Sequence, residues 1–236
     1  QLVGQIALTK TPELTAVRRG EVIFHDAQRS LDQWYSCHSC HYEGGINSER
    51  MDTFNDGTAF TFKTVLPLYS IEQTAPWTWH GWQKDLSAAM RKSITSTMLG
   101  KEPTDQDVTD MLAYVKTLQP PPNPFRQADG SLSPAAKRGE VVFQSDQAGC
   151  ASCHKGSHFT DGEIHDLGLG EEKDKYQGFN TPTLLGVYRK VRLLHHGRAK
   201  SLQQVLTEYH APEDVAGSGK LNEKQLADLI AYLKSL

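Results

Sequence analysis

Two short stretches of the chain carry residues of the right types and spacing for chemistry: Cys37-His38-Ser39-Cys40-His41 and Cys150-Ala151-Ser152-Cys153-His154. Together they use all four cysteines. Thiols three residues apart can each form a thioether with one vinyl group of the same porphyrin, and the histidine that follows is then held beneath the iron. The spelling C-x-x-C-H is the attachment signature of c-type haem, and axial histidine is one of the standard ways to hold haem iron. A zinc ribbon would set its C-x-x-C halves about 15–20 residues apart, whereas most of a domain separates Cys37 from Cys150. A thioredoxin-like dithiol needs a βαβ context that the chain lacks. Against zinc, a redox dithiol and a pair of disulfides, the doubled motif favours two covalent haems, with His41 and His154 as proximal iron ligands.

The elements that must position these motifs come in a repeated order. Arg19-Gly20-Glu21-Val22-Ile23-Phe24 precedes the first motif and Arg138-Gly139-Glu140-Val141-Val142-Phe143 the second. Trp79-His80-Gly81-Trp82 corresponds to His195-His196-Gly197-Arg198. Each half closes with an amphipathic stretch, 104–118 and 222–236, opening on an N-cap residue, Thr104 or Asn222, with acids in the first turn. Their apolar residues recur at helical spacing. Four landmarks in one order predict a duplicated domain. Gln119-Pro120-Pro121-Pro122-Asn123-Pro124 cannot be helical and predicts a stiff extended linker. Ser133-Pro134 reads as a capped helix start with proline at its first position, and Thr11-Pro12-Glu13-Leu14 as its counterpart. The expected fold is all-α: tandem cytochrome domains at 1–119 and 133–236, a Pro-rich linker at 120–132, and long haem-packing loops such as Asp161 to Gly170.

Composition narrows the function classes. Hydrophobic residues make up 38% and the formal charge is −3 with no basic run, which argues against a nucleic-acid surface. No apolar run approaches the ~20 residues of a membrane span. The sequence begins with Gln1 and shows no signal peptide, so it reads as a mature or excised chain. Thioether attachment of haem takes place outside the bacterial cytoplasmic membrane, so the motifs imply a periplasmic or otherwise exported protein.

Two C-x-x-C-H domains in tandem resemble the bacterial di-haem cytochrome c peroxidases and their MauG-type relatives, the methylamine-utilisation di-haem enzymes. The resemblance rests on both motifs, on Phe179-Asn180-Thr181-Pro182-Thr183-Leu184, on the His196-Gly197-Arg198 turn and on the stretch from Ser201 through Tyr209. It covers nearly the whole chain, is tighter in the second half, and leaves the chain shorter than typical members, as a trimmed form or a domain cut from a larger protein would be. In that family one haem transfers electrons and the other meets peroxide. The second haem takes a distal Met from the helix after the H/D-G turn, or a Tyr in MauG-type members; counting from Leu202, the resemblance implies Tyr209, with His210 as its rival. A phenolate there would favour ferric iron. For haem I, aligning from Leu86 sets Ala89 at the family's Gln position and Met98-Leu99 at its Glu position. Neither acid–base group is matched, leaving Glu102 as a stand-in and Met98, or else Met90 or His80, as a ligand that would close the site.

Of Trp77, Trp79 and Trp82, Trp79 best matches the family's relay between haems. The family's calcium ion would find Asn180 and Pro182 on one side. Arg189 and Arg198 are candidates for pairing with haem propionates, because a guanidinium fits a carboxylate. His158 and His165 read as solvent-loop histidines, with a place near the second haem as the alternative for either. The resulting expectation is a periplasmic di-haem cytochrome with hydrogen-peroxide chemistry at haem I, served by a small redox protein. The alternative is a pure electron-transfer module, fused to or docked on an oxidoreductase, with both irons six-coordinate.

Overall fold

The computed structural model describes residues 13–236 together with Gly4 and Ile6. Its helices are α1 (Ala16–His25), α2 (Cys37–Cys40), α3 (Leu86–Lys92), α4 (Asp105–Val115), α5 (Pro134–Phe143), α6 (Leu202–Gln204), α7 (Pro212–Val215) and α8 (Glu223–Lys234). Long loops connect them. Two antiparallel ladders add to the helical expectation: β1 (Arg50–Met51) on β2 (Lys63–Thr64), and β3 (Ile164–His165) on β4 (Phe179–Asn180). Ladders of two residues are too short to leave an alternating pattern in the sequence. Among the described residues no helix is long and apolar enough to cross a membrane.

The helix starts follow from local chemistry. Thr104 and Asn222 each cap a helix reciprocally, with Asp107 and Gln225 returning the bond to the cap residue's own N–H. Ser133 caps α5 with Pro134 at the first position. The first helix differs from expectation: Thr11 and Pro12 lie outside the described residues, and α1 begins at Ala16 with Thr15 as its cap. The proline-rich stretch is held against the end of α8, where Asn123 Nδ2 donates to the carbonyls of Lys234 and Leu236 and Arg126 Nε donates to that of Ser235.

Helix α1 crosses α4, and α5 crosses α8, at unusually close range. A Cβ on Gly20 would lie 1.9 Å from the Asp110 carbonyl oxygen, and one on Gly139 would lie 1.9 Å from that of Asp228. At each crossing the preceding arginine forms a fork: Arg19 Nε and Nη2 reach Asp110 at 2.7 and 2.8 Å, and Arg138 reaches Asp228 at 2.8 and 2.6 Å. These contacts give the repeated Arg-Gly pair a physical meaning. The crossings bury Ile23, Val108 and Met111 in one core, and Phe143, Leu229, Tyr232 and Leu233 in another.

Either glycine changed to alanine must push its helix pair apart. Gly20→Ala and Gly139→Ala are each expected to lose about 1–3 kcal/mol of stability, read from the midpoint of guanidinium unfolding; an unchanged midpoint would refute the close crossing.

Candidate functional site

Each C-x-x-C-H turn opens into its own cavity. In the first half Cys37 and Cys40 lie i, i+3 on α2, so both thiols emerge on one face. Ser36 and Ser39 cap that turn reciprocally. His41 ends it, its N–H bonded to the Cys37 carbonyl at 2.9 Å. All three residues line cavity I, of about 270 Å³. Burial raises the Cys37 thiol to about 12 and lowers His41 to about 4, so the imidazole is neutral at pH 7, as a metal ligand must be.

In the second half Gly149 holds a left-handed φ of 65° in front of Cys150; a Cβ there would meet the Ala216 carbonyl at 2.6 Å. A 3-10 turn, Cys150–Ser152, then aims Cys150, Cys153 and His154 into cavity II, of about 170 Å³. His154 Nδ1 lies 3.0 Å from the Phe159 carbonyl, which fixes the proton on Nδ1 and leaves the Nε2 lone pair free. Burial lowers His154 to about 4 and raises Cys150 to about 11. All four thiols are free.

The cavities share a wall made of Trp79 and residues 180–183. Trp79 is fixed by its indole N–H, which donates to the Thr64 carbonyl at 2.6 Å. Trp77 and Trp82 line cavity I alone, as do Met90, Met98 and His80.

The helix facing each motif ends in a π turn. Ser93–Thr97 continues α3, with the Met98 N–H bonded to the Ser93 carbonyl at 2.9 Å. Val205–Tyr209 continues α6, with the His210 N–H bonded to the Val205 carbonyl at 2.8 Å. A π turn inserts one residue into the helical register. Tyr209 packs against the core of the second half, while His210 lines cavity II. His210 Nδ1 is buried without a partner.

Glu102, Arg189 and Arg198 stand away from the two cavities. Glu102 does not line cavity I; its side chain, 64% exposed, is held on the outer surface by Arg91, which also binds Asp105. Arg189 donates to the Tyr69 hydroxyl at 2.5 Å and pairs with Glu43. Arg198 is engaged by the Leu169 carbonyl and Glu171. Neither arginine lines a cavity. His158 is half-buried beside Ser157, and His165 lines cavity II, paired with Asp161 at 3.0 Å.

Polar residues without a motif complete the site. In cavity I Asn55 donates to Thr97 Oγ1 at 3.1 Å and keeps its Oδ1 buried without a partner. Tyr35 donates to the Thr97 carbonyl, and burial raises its phenol to about 12. Asp56 is the acid on that wall among the described residues. Lysines at 63 and 190 stand on the walls of cavities I and II.

Each cavity, opened by a C-x-x-C-H turn, thus brings two cysteines and a histidine to one wall. Residues 140–235 match the family model described as di-haem cytochrome c peroxidase. The chain is 27% identical over 273 residues to hydrazine synthase subunit gamma of Kuenenia stuttgartiensis, covering 93% of this chain and 77% of that one. It is 25% identical over 280 residues to the methylamine utilization protein MauG of Methylorubrum extorquens, covering 96% and 78%. The solved Kuenenia stuttgartiensis hydrazine synthase has the same fold, with a TM-score of 0.82 at 22% identity over 100% of this chain and 99% of that chain. The likeness to the di-haem cytochrome c peroxidases thus lies in residues 140–235, and that to MauG and the hydrazine synthase subunit runs over most of the chain.

Burial of neutral imidazoles has a consequence for stability. Below pH 6.5 the unfolded chain takes up protons on His41 and His154 that the folded chain excludes until about pH 4. Stability present above pH 6.5 should therefore fall through that window on acidification, by up to about 1.4 kcal/mol per pH unit for each histidine. Denaturant unfolding at stepped pH checks this, and a flat profile between pH 6.5 and 4 would refute it.

Proposed function

We propose that this protein is an exported di-haem c-type cytochrome in which electrons pass between two covalently held haems by way of Trp79, with the haem of cavity I open to hydrogen peroxide. One observation carries the reading: the two C-x-x-C-H turns open into separate cavities that have Trp79 as a common wall. The matching Arg–Asp forks and glycine contacts in residues 1–119 and 133–236 support two related cytochrome modules joined at 120–132.

Bound in these cavities, each haem supplies a one-electron iron couple, and an iron with a free sixth position can take up peroxide. The four cysteines fix the porphyrins, and His41 and His154 offer Nε2 as proximal ligands. His210 would hold the iron in cavity II in place of Tyr209, because it lines that wall and its Nδ1 has no protein partner. In cavity I the Met98 sulfur lies 3.9 Å from that of Cys37, so Met98 would pack beside that thioether and leave the haem of cavity I open to peroxide. Asn55, Thr97 and Tyr35 supply polar contacts there, and Asp56 takes the proton-handling part assigned to Glu102. Asn180 Oδ1, buried without a partner, keeps a place for the calcium ion beside Pro182.

A second reading, an electron carrier within a larger assembly, is favoured by the likeness to a hydrazine synthase subunit and by the exposed aromatics Trp34 (72%) and Phe60 (69%). A small redox protein or docked oxidoreductase would then meet this surface.

Low-temperature EPR of the ferric protein separates the readings. One high-spin signal that cyanide converts is expected beside one low-spin signal that it does not. His210→Ala should turn the second signal high-spin, and Tyr209→Phe should leave it unchanged. Two low-spin signals indifferent to cyanide would overturn the open cavity I. For turnover, Asp56→Asn should slow peroxide reduction about 10²-fold, and Trp79→Phe should slow electron exchange between haems in stopped-flow traces; wild-type rates in both would remove these roles.

A further inference from the structure

The arginines that seemed suited to haem carboxylates are committed elsewhere, yet each cavity carries one fixed cation among the described residues: Lys63 in cavity I and Lys190 in cavity II. Lys63 sits 2.8 Å from Asp174 Oδ1, with side-chain exposures of 14% and 5%. Neither Lys63 Nζ nor Asp174 Oδ1 has a partner with hydrogen-bond geometry. An ammonium has three donors, and a buried ion pair is stable only when its remaining protons are satisfied. Lys190 Nζ makes no ion pair among the described residues, and burial lowers this amine to about 8. Both lysines therefore lack an anion from the protein on the side that faces a cavity.

A metal ion is the competing occupant beside Lys63, because Asp174, His195 and His196 bring three ligand atoms within 4.8 Å of one another. Two observations disfavour it. The ammonium of Lys63 already occupies Asp174. The Arg198 guanidinium lies 3.3 Å from His196 Nδ1, which places the His196 proton on Nε2, toward Glu171 at 3.3 Å. That nitrogen then has no lone pair to offer a metal. His80 is pinned differently, its Nδ1 lying 2.7 Å from the Gly178 carbonyl.

We infer that Lys63 and Lys190 are the propionate partners of the two haems, one per cavity, with Asp174 positioning Lys63. The inference rests on the haem reading above. Pairing with a cation lowers the negative charge felt by the iron and so favours the reduced state. The test is spectroelectrochemical titration of the holoprotein, after the haem content has been measured by pyridine haemochromogen. Lys63→Met should lower the midpoint of one haem so that its reduced-to-oxidised ratio falls about tenfold at fixed potential, about 59 mV for one electron. Lys190→Met should do the same to the other haem. Lys63→Arg, which keeps the charge, should hold the first haem's midpoint near the wild-type value; a shift as large as that of Lys63→Met would show that the loss of packing and not of charge is read, and would overturn the inference. Two haems per chain with unchanged midpoints in both lysine variants would overturn it while leaving the haem reading intact, whereas absence of haem would sink both. One transition-metal ion per chain beyond the two irons, lost in Asp174→Asn, would give the cluster to a metal instead.

Discussion

The close crossing of helices in each half is the constraint on which the rest depends. Gly20 and Gly139 let α1 and α5 approach the backbones of α4 and α8 where no other residue would fit, and the Arg–Asp forks fix the angle. That approach sets Phe24, Met111 and Val115 on the wall of cavity I, and Phe143 and Leu233 on that of cavity II. A flat apolar wall must exist before a porphyrin can be gripped, since thioether bonds fix only one edge of the ring. Widening a crossing would loosen the opposing wall of the cavity while leaving its cysteines in place.

Local signals were legible in the sequence because they act within one turn. The C-x-x-C-H motifs, the caps at Thr104, Asn222 and Ser133, and the Arg-Gly pairs all do their work over a few residues or recur in both halves. What stayed hidden depends on register or on distant partners. Nothing in Leu202 to His210 announces the π turn after which His210, and not Tyr209, stands on the wall of cavity II. Glu102 lies near the expected place in sequence, but Arg91 draws it to the surface. Asp174 stands in a run of mixed charge, Glu171 to Lys175, that reads as solvated loop; only its meeting with Lys63, more than a hundred residues away, makes it a buried group.

The two halves are joined by hydrogen bonds that also hold Trp79, the proposed relay. The Thr64 N–H donates to the His195 carbonyl at 2.8 Å, the Asn180 N–H donates to the Trp79 carbonyl at 2.8 Å, and Asn180 Nδ2 reaches the Pro76 carbonyl at 2.6 Å. Trp79 is therefore clamped through its own carbonyl by one half and through its indole by Thr64 of the other ladder. A side chain held at both ends has little freedom to reorganise, which suits a group that is to gain or lose charge between two cofactors.

Two halves with matching helix crossings can serve different ends because their cavity walls differ. Both distal helices carry a π turn, but the residue that ends it is a thioether in one and an imidazole in the other. Imidazole is a strong iron ligand when neutral, and burial lowers His210 in the direction that keeps it so. Met98 instead meets the sulfur of Cys37 and adds apolar contact at the rim. Cavity I is left larger, with Asn55, Thr97 and Asp56 around the space that Met98 does not fill. In the proposed function, the difference between an iron closed by a side chain and an open one would reduce to which side chain follows the π turn, on frames held by matching glycine crossings.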